Sequence, residues 1–168
     1  MLSVLIETRN DEEGLARTLA SLVGGAVEGV VREVVVCDLG STDHSHYVAE
    51  HAGCAFVGSG GIKAGIEQAK SDWLLLLEPG ARLGEGWAEE AMRHTGRLTM
   101  AARFSRARES NRPLWARIFG RPRALEQGLV ITKRQATVLA RNGADAEGIA
   151  RGLAMKTLNA EIAVAPRR

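Results

Sequence analysis

The feature that most constrains the fold of this chain is an alternation, over its first half, of short apolar runs with longer segments of helical periodicity. The apolar runs lack the polar alternation of a half-exposed strand, which is typical of strands buried on both faces of a sheet. They occupy residues 3–6, 33–37, 55–57 and 73–77. The segments between them repeat apolar residues at helical spacing, as Leu15, Leu19 and Leu22 do. This alternation predicts an α/β fold with a mostly parallel sheet and helices on both faces.

The ends of the predicted helices carry capping signals. Asn10 or Asp11 can cap the first helix, because a short polar side chain there accepts a hydrogen bond from the first helical turn. Glycines are predicted to end the helices, since glycine adopts the left-handed conformation that a helix end requires. We expect Gly24 and Gly25 to end the first helix and Gly53 to end the second.

The second half of the chain has a looser pattern, from which we expect three strands and two helices. The expected strands cover 98–104, 125–132 and 162–164, and the expected helices cover 133–141 and 145–157. A length of 168 residues suits a single domain with one core.

The composition excludes several classes of protein. Apolar residues make up 45% and charged residues 25% of the chain, which is ordinary for a folded protein and excludes general disorder. The chain does not begin like a signal peptide and has no apolar run of about 20 residues, so we expect a cytoplasmic location, with peripheral contact at the inner membrane surface left open. Cys37 and Cys54 lack the spacing of a zinc or redox pair and are expected to be reduced core residues.

Polar residues cluster in the four loops that follow the predicted strands. Since right-handed crossovers place the carboxyl ends of parallel strands at one edge of the sheet, these loops converge there, where open α/β sheets bind ligands. The loops cover residues 7–10, 38–41, 58–63 and 78–80. Helix caps and turns use the same residue types, so local structure is the alternative explanation, and we favour a ligand site.

Two common nucleotide-binding classes do not match these loops. Residues 8–14 read Thr-Arg-Asn-Asp-Glu-Glu-Gly, which is acidic and lacks the Gly-x-Gly-x-x-Gly that lets a backbone approach a pyrophosphate. NAD and FAD binding are therefore disfavoured. No Gly-Lys-Ser/Thr occurs, so a P-loop is excluded. The glycine-rich residues 58–61 are explained equally well by a turn and by a phosphate contact.

Five segments, taken in order, resemble family-2 glycosyltransferases. The most specific is Asp-Leu-Gly-Ser-Thr-Asp at 38–43, which is similar to the loop after the second strand of that family. The run Leu-Glu-Pro-Gly-Ala-Arg-Leu at 77–83 falls where the family carries Asp-x-Asp. The other similar segments are 4–12, 63–74 and 121–131. The resemblance covers most of residues 1–133.

The resemblance implies a shortened GT-A, or nucleotide-diphospho-sugar transferase, fold, which is a Rossmann-like three-layer sandwich. It implies one glycosyltransferase-like domain over residues 1–168, with a nucleotide-binding half at 1–97 and an acceptor-side half at 98–168. Members of the family move a sugar from a nucleotide diphosphate donor to an acceptor by inverting displacement. A divalent metal, Mg²⁺ or Mn²⁺, bound by the Asp-x-Asp acids neutralises the leaving diphosphate, and a carboxylate acts as base. The acceptor is unknown.

The resemblance also assigns roles to residues by position. Thr8 lies near the nucleotide base, Asp38 binds the base or ribose, and Lys63 lies near the phosphates. Arg9 stands in the nucleotide-binding loop at the family's usual aromatic position. Glu78 is the remaining metal ligand, and Glu126 is a catalytic base or an acceptor contact. The assigned residues are Thr8, Arg9, Asp38, Lys63, Glu78 and Glu126.

The chain departs from the family pattern most clearly at the metal position, where Glu78-Pro79-Gly80 replaces Asp-x-Asp. Gly80 has no side-chain ligand, and Glu78 is a single carboxylate, whereas Mg²⁺ and Mn²⁺ sites use one or two carboxylates with phosphates and waters. Three outcomes stay open. Glu78 and the substrate hold a metal weakly, cations replace the metal, or the chemistry is lost and only binding or the fold remains. The candidate cations are Arg9, Lys63 and Arg82.

Weaker patterns give further alternatives. Asp145 and Glu147 are candidate acceptor-side acids, and His44, His46 and Glu50 are a metal site or, more simply, a solvated helix face. The basic segment 103–123 interleaves arginines with Trp115 and Phe119. We favour a mobile acceptor-side loop for it, then contact with a membrane surface, and lastly binding of nucleic acid. The alternative functions are therefore a catalytically impaired glycosyltransferase-like binding protein, or a membrane-surface or nucleic-acid-binding module.

Overall fold

The computed structural model of the chain describes residues 1–107, 123–141 and 143–166, and these residues form one sheet with helices on its two faces. The described strands are β1 (Leu2–Thr8), β2 (Val31–Asp38), β3 (Ala55–Val57), β4 (Trp73–Leu77), β5 (Arg82–Leu83), β6 (Ala102–Arg106), β7 (Leu129–Thr132) and β8 (Lys156–Ala163). The described helices are α1 (Glu12–Val27), α2 (Ser45–His51), α3 (Gly61–Gln68), α4 (Trp87–Thr95), α5 (Lys133–Ala140) and α6 (Ala146–Ala150).

The sheet has the strand order β3-β2-β1-β4-β7-β6-β8-β5. The first four strands are parallel to one another, as the alternation of strands and helices predicts. Of the seven strand pairings in the described residues, four are parallel (β1–β2, β1–β4, β2–β3 and β6–β8) and three are antiparallel. The parallel first half and the mixed second half together confirm the predicted α/β class.

The fourth strand shows why the solidly apolar runs form the middle of the sheet. Leu75 and Leu77 pack in a core on one face, while Leu74 and Leu76 pack in a second core on the other face. All four side chains are almost completely buried, and each contributes about 1.5–3 kcal/mol relative to an exposed position. A sheet with an apolar core on both faces is the middle layer of a three-layer sandwich.

The first helix begins as predicted but ends later than predicted. The Asp11 side chain accepts a hydrogen bond of 2.8 Å from the N–H of Gly14, which confirms the N-cap. The expectation that Gly24 and Gly25 end the helix is wrong, because α1 continues to Val27 and the left-handed residue is Gly29, with φ 72°. Gly25 instead makes room for the ring of Trp87.

Other helix and strand boundaries differ from the predicted ones, because residues close in the sequence do not by themselves determine where these elements begin and end. The expected helix at 145–157 is only α6, and β8 starts at Lys156, where buried residues alternate with exposed ones. The strand expected at 125–132 begins at Leu129, since residues 124–127 form a turn. The strand expected at 98–104 is β6, and the strand expected at 162–164 is the end of β8. Gly53 follows α2 with φ 71°, as expected.

Both cysteines are free and belong to the core or its border. Burial raises the pKa of the Cys37 thiol to about 12 and that of the Cys54 thiol to about 11. Both thiols are therefore protonated near neutral pH, in keeping with the expected structural role. Within the described part of the chain, no helix is both long and apolar enough to cross a membrane.

We predict opposite effects from alanine at the two adjacent glycines of α1. A Cβ at Gly25 would lie 2.3 Å from a ring atom of Trp87, so Gly25→Ala should lower the free energy of unfolding by about 1–3 kcal/mol. A Cβ at Gly24 meets no atom within 4 Å, so Gly24→Ala should raise it by about 0.5–1 kcal/mol. Urea unfolding of both variants measures the difference. Equal stabilisation by both would show that Trp87 is not packed against this glycine.

Candidate functional site

The loops after β1 and β2 are joined by hydrogen bonds at the carboxyl edge of the sheet. The N–H of Leu39 donates to the carbonyl of Thr8 at 2.9 Å. The N–H of Asn10 donates to Ser41 Oγ at 2.9 Å, and the Asn10 side chain accepts from the N–H of Thr42 at 2.7 Å. Asn10 adopts φ 51°, a conformation that asparagine tolerates better than most residues. The two polar loops therefore form one unit, as their convergence predicts.

The carboxylate of Asp38 holds the second loop in place. One oxygen accepts from the N–H groups of Gly40 and Ser41, at 3.1 and 2.9 Å, and the other accepts from Ser41 Oγ. Only 8% of Asp38 is exposed. The contacts it makes are those of a loop cap, so its contact with a nucleotide stays a prediction.

The outer part of this unit links the starts of α1 and α2. The carboxylate of Asp43 accepts from the N–H groups of Glu12 and Ser45, both at 3.0 Å. In return, Glu12 Oε2 accepts from the N–H of His44 at 2.8 Å and lies 3.1 Å from its Nδ1. His46 packs on the ring of Tyr47. The histidines therefore have structural partners on an exposed helix face.

The carboxylate of Glu7 bridges two helices that lie far apart in the sequence. Its Oε1 accepts from the N–H of Ile62, in the first turn of α3, at 3.0 Å, and its Oε2 accepts from the N–H of Ala146, the first residue of α6, at 3.2 Å. The bridge connects the first half of the chain to the second. It also places a negative charge at the amino end of α3, beside the glycine-rich residues 58–61. We therefore favour a turn over a phosphate contact for that segment.

The turn after β4 closes the position at which the family resemblance would place a second metal acid. The N–H of Gly80 donates to the carbonyl of Gly14 and to Thr18 Oγ1, both at 2.9 Å. Gly80 has φ 91°, and a Cβ there would lie 3.2 Å from Pro166 and 3.3 Å from Ala165. Backbone conformation and neighbouring atoms both favour glycine at this position over any residue with a side chain.

Glu78 forms an ion pair with an arginine from the second half of the chain. Arg123 Nη2 lies 3.1 Å from Glu78 Oε2 and donates to the carbonyl of Ala165 at 3.1 Å. Arg123 was not among the cations that the sequence suggested as metal substitutes. It belongs to a run of arginines, and only the fold shows which of them reaches Glu78.

Glu126 is also paired with an arginine. It is 4% exposed, and its Oε1 accepts a hydrogen bond from Arg106 Nη2. The N–H of Glu126 donates to the carbonyl of Arg123 at 3.4 Å, so one turn carries both Glu126 and the partner of Glu78. The structure thus brings Glu126 to the same side of the sheet as the carboxyl end of β4.

The two candidate acceptor-side acids make structural contacts. Glu147 accepts from the N–H groups of Ala124 and Leu125, at 2.7 and 2.9 Å, and so fixes the turn that contains Glu126. Asp145 caps α6 by accepting from the N–H of Gly148 at 2.7 Å. An acceptor contact by either residue stays a prediction.

The remaining predicted site residues differ in their exposure. Three of them lie at the ends of adjacent parallel strands: Thr8 ends β1, Asp38 ends β2 and Glu78 follows β4. Thr8 pairs with Asp38, and Ile6 of β1 pairs with Leu77 of β4. Thr8 is 2% exposed, and its hydroxyl has no hydrogen-bond partner in the part of the chain that the structure describes. By contrast, Arg9, Lys63 and Arg82 are exposed.

Most of the basic segment 103–123 lies outside the described residues. Its described members include Arg103, Arg106 and Arg123, and the last two form the ion pairs with Glu126 and Glu78. Contact of this segment with a membrane surface therefore stays a prediction, and nucleic-acid binding stays the least favoured alternative.

Solved structures of glycosyltransferases have the same fold. Glucosyl-3-phosphoglycerate synthase from Mycobacterium tuberculosis, in complex with Mn²⁺, uridine diphosphate and glucosyl-3-phosphoglycerate, matches with a TM-score of 0.60 and 16% identity over 100% of this chain and 73% of its own. S. aureus TarS 1–349 matches with a TM-score of 0.63 and 17% identity over 94% of this chain and 57% of its own. No family model and no curated protein sequence matches the chain. The chain has the GT-A fold, as the motifs predict.

We predict that the Glu7 bridge stabilises the fold. Glu7→Gln leaves one carbonyl oxygen for two N–H groups, so the free energy of unfolding should fall by about 1–3 kcal/mol. Glu67→Gln, an exposed change on α3, is the matched control and should alter it by less than about 0.5 kcal/mol. Urea unfolding measures both. Equal values for the two variants would show that the bridge contributes nothing to stability.

Proposed function

We propose that this chain is a glycosyltransferase domain that binds a nucleotide diphosphate sugar at the carboxyl edge of its sheet and transfers the sugar to an acceptor. The observation that carries the proposal is the position of Thr8, Asp38 and Glu78 at the ends of three adjacent parallel strands of a GT-A fold. Open α/β sheets bind their ligands at such an edge. Uridine diphosphate is the first nucleotide to test, since solved structures of both neighbours contain it.

In the proposed donor site, some residues position the nucleotide and others supply positive charge to the diphosphate. Asp38 positions the loop at 39–41, and in our proposal this loop faces the nucleotide base or ribose. Thr8 lies near the nucleotide base. Arg9, in the loop after β1, and Lys63, in the first turn of α3, are exposed cations and contact the diphosphate in our proposal. Opposite charges a few ångströms apart attract, and the attraction grows as water is excluded. In this proposal residues 1–97 bind the donor.

The proposed chemistry is an inverting displacement at the sugar carbon. The acceptor hydroxyl oxygen attacks that carbon and forms the new C–O bond, while the bond to the diphosphate oxygen breaks and its electron pair leaves with the diphosphate. The hydroxyl proton passes to a carboxylate, for which Glu126 is our candidate. Glu126 lies in a turn that Glu147 fixes, so its position is well defined. Residues 98–168 would form the acceptor side.

A second candidate function is donor binding without transfer. Two contacts favour it: Ala165 and Pro166 close the space beside Gly80, and Arg106 neutralises Glu126. A guanidinium beside a carboxylate favours its charged form, which works against transfer of a proton to it. The two candidates agree on nucleotide binding and differ on turnover, so one set of experiments separates them.

The first experiment is calorimetric titration of the chain with uridine and guanosine diphosphate sugars. We expect at least one of them to bind with a dissociation constant below about 1 mM. Asp38→Ala removes the side chain that orders the loop at 39–41 and should weaken that binding, while Glu50→Gln, on an exposed helix face, should leave it unchanged. If no nucleotide binds at millimolar concentration, the proposal is wrong.

We predict that Glu126→Gln separates transfer from binding. Loss of a general base costs about 100-fold or more in kcat, so release of nucleoside diphosphate in the presence of acceptors should fall by that factor. The dissociation constant of the donor should stay within about twofold of the unchanged chain, because Gln keeps an oxygen that can accept from Arg106. A Glu126→Gln variant with full turnover would exclude Glu126 as the base. Absence of turnover in the unchanged chain, with nucleotide still bound, would favour the binding-only function.

A further inference from the structure

The position of the second metal acid is filled by the chain itself. A side chain at Gly80 would meet Ala165 and Pro166, which follow β8, and Gly80 has a left-handed backbone that is fixed by two hydrogen bonds from its N–H. β8 is anchored here because the N–H of Gly84 donates to the carbonyl of Glu161 at 2.8 Å. The residues that close this space therefore directly follow an anchored strand of the sheet.

The first metal position is occupied by a guanidinium. Arg123 lies 3.1 Å from the Glu78 carboxylate, and only 13% of the Glu78 side chain is exposed. A divalent cation at Glu78 Oε2 would have to displace Arg123, and separating a shielded ion pair leaves an uncompensated charge on each partner. No group of three or more His, Cys, Asp and Glu side chains with metal-binding geometry occurs among residues 1–107, 123–141 and 143–166. With no side-chain ligand at Gly80 and with Glu78 paired with Arg123, the donor set does not fit Mg²⁺ or Mn²⁺.

Arg123 has donors left for a phosphate. Its contacts with Glu78 and Ala165 both use Nη2. Its Nε–H is buried and has no hydrogen-bond partner in the described residues. A guanidinium presents five N–H donors in a planar fork and binds phosphate oxygens in pairs, so one arginine can keep its carboxylate partner and still bind an anion.

We propose that the site binds a nucleoside diphosphate without a divalent cation, and that Arg123 provides the positive charge that a metal would otherwise supply. This inference rests on the proposed nucleotide binding. Glu78 then serves as a positioning residue that holds the guanidinium at the end of β4. Ala165 and Pro166 pack against the turn at Gly80, and the carbonyl of Ala165 accepts a hydrogen bond from Arg123.

The first test compares uridine and guanosine diphosphate binding in EDTA with binding in millimolar Mn²⁺, by calorimetry. We expect the dissociation constants to agree within about threefold. Tightening by about tenfold or more in Mn²⁺ would overturn the metal-free site while supporting the proposed function. Absence of binding in both buffers would overturn the nucleotide-binding function itself, and the metal-free site with it.

The second test uses Arg123→Gln, with Arg134→Gln on the exposed face of α5 as the matched control. Arg123→Gln should weaken uridine diphosphate binding in EDTA by about tenfold or more, and should leave binding of uridine, which has no phosphate, within about twofold. Unchanged uridine binding also shows that the variant is folded. Arg134→Gln should change neither ligand. Equal losses for uridine and uridine diphosphate, or no loss for either, would overturn the role of Arg123.

A third readout needs no nucleotide. Electron paramagnetic resonance of free Mn²⁺ should show no binding by the unchanged chain, because Glu78 is paired with Arg123 and Gly80 has no side-chain ligand. Binding of Mn²⁺ to the unchanged chain that a Glu78→Gln change removes would overturn the proposal.

Discussion

The structure depends on the burial of its central parallel strands on both faces. Leu74 to Leu77 of β4 alternate between two apolar cores, so helices must cover both sides of the sheet, and the polar residues that follow the strands collect at its edge. Because backbone N–H and C=O groups at the centre are used in pairing, the ends of β1, β2 and β4 are where side chains and loop backbone can meet a ligand. The position of the candidate site is thus a consequence of packing, and the chemistry is a property of the few residues placed there.

Four described carboxylates at this edge, those of Glu7, Asp38, Glu78 and Glu126, are each engaged by other groups of the chain. Asp38 orders its own loop, and Glu7 joins α3 to α6. Glu78 and Glu126 are each paired with an arginine. Such pairing keeps negative charge from accumulating where an anionic diphosphate is proposed to bind. At Gly80, where the resemblance would place a second metal acid, Ala165 and Pro166 lie where a side chain would extend.

The parallel strands, a helix cap at Asn10 or Asp11 and the convergence of the first two loops could be predicted from the sequence, because they depend on local periodicity and on residues close in the chain. The end of α1 could not, since Gly25 is explained by the ring of Trp87 and not by its helix neighbours. The expected helix at 145–157 failed for a related reason. The alternating residues of β8 signal a strand only when a neighbouring strand is available to pair with them.

The sequence by itself determined the α/β class, the edge of the sheet at which a site can form, and the loss of a ligand at Gly80. Only the tertiary structure decided that Arg123 pairs with Glu78, and that Glu7 bonds to Ala146, which is 139 residues away. Hydrophobic periodicity is a local property that each segment carries alone. The pairing of charges depends on strand order and register, and among several arginines in one run the sequence gives no physical reason to choose the one that reaches Glu78.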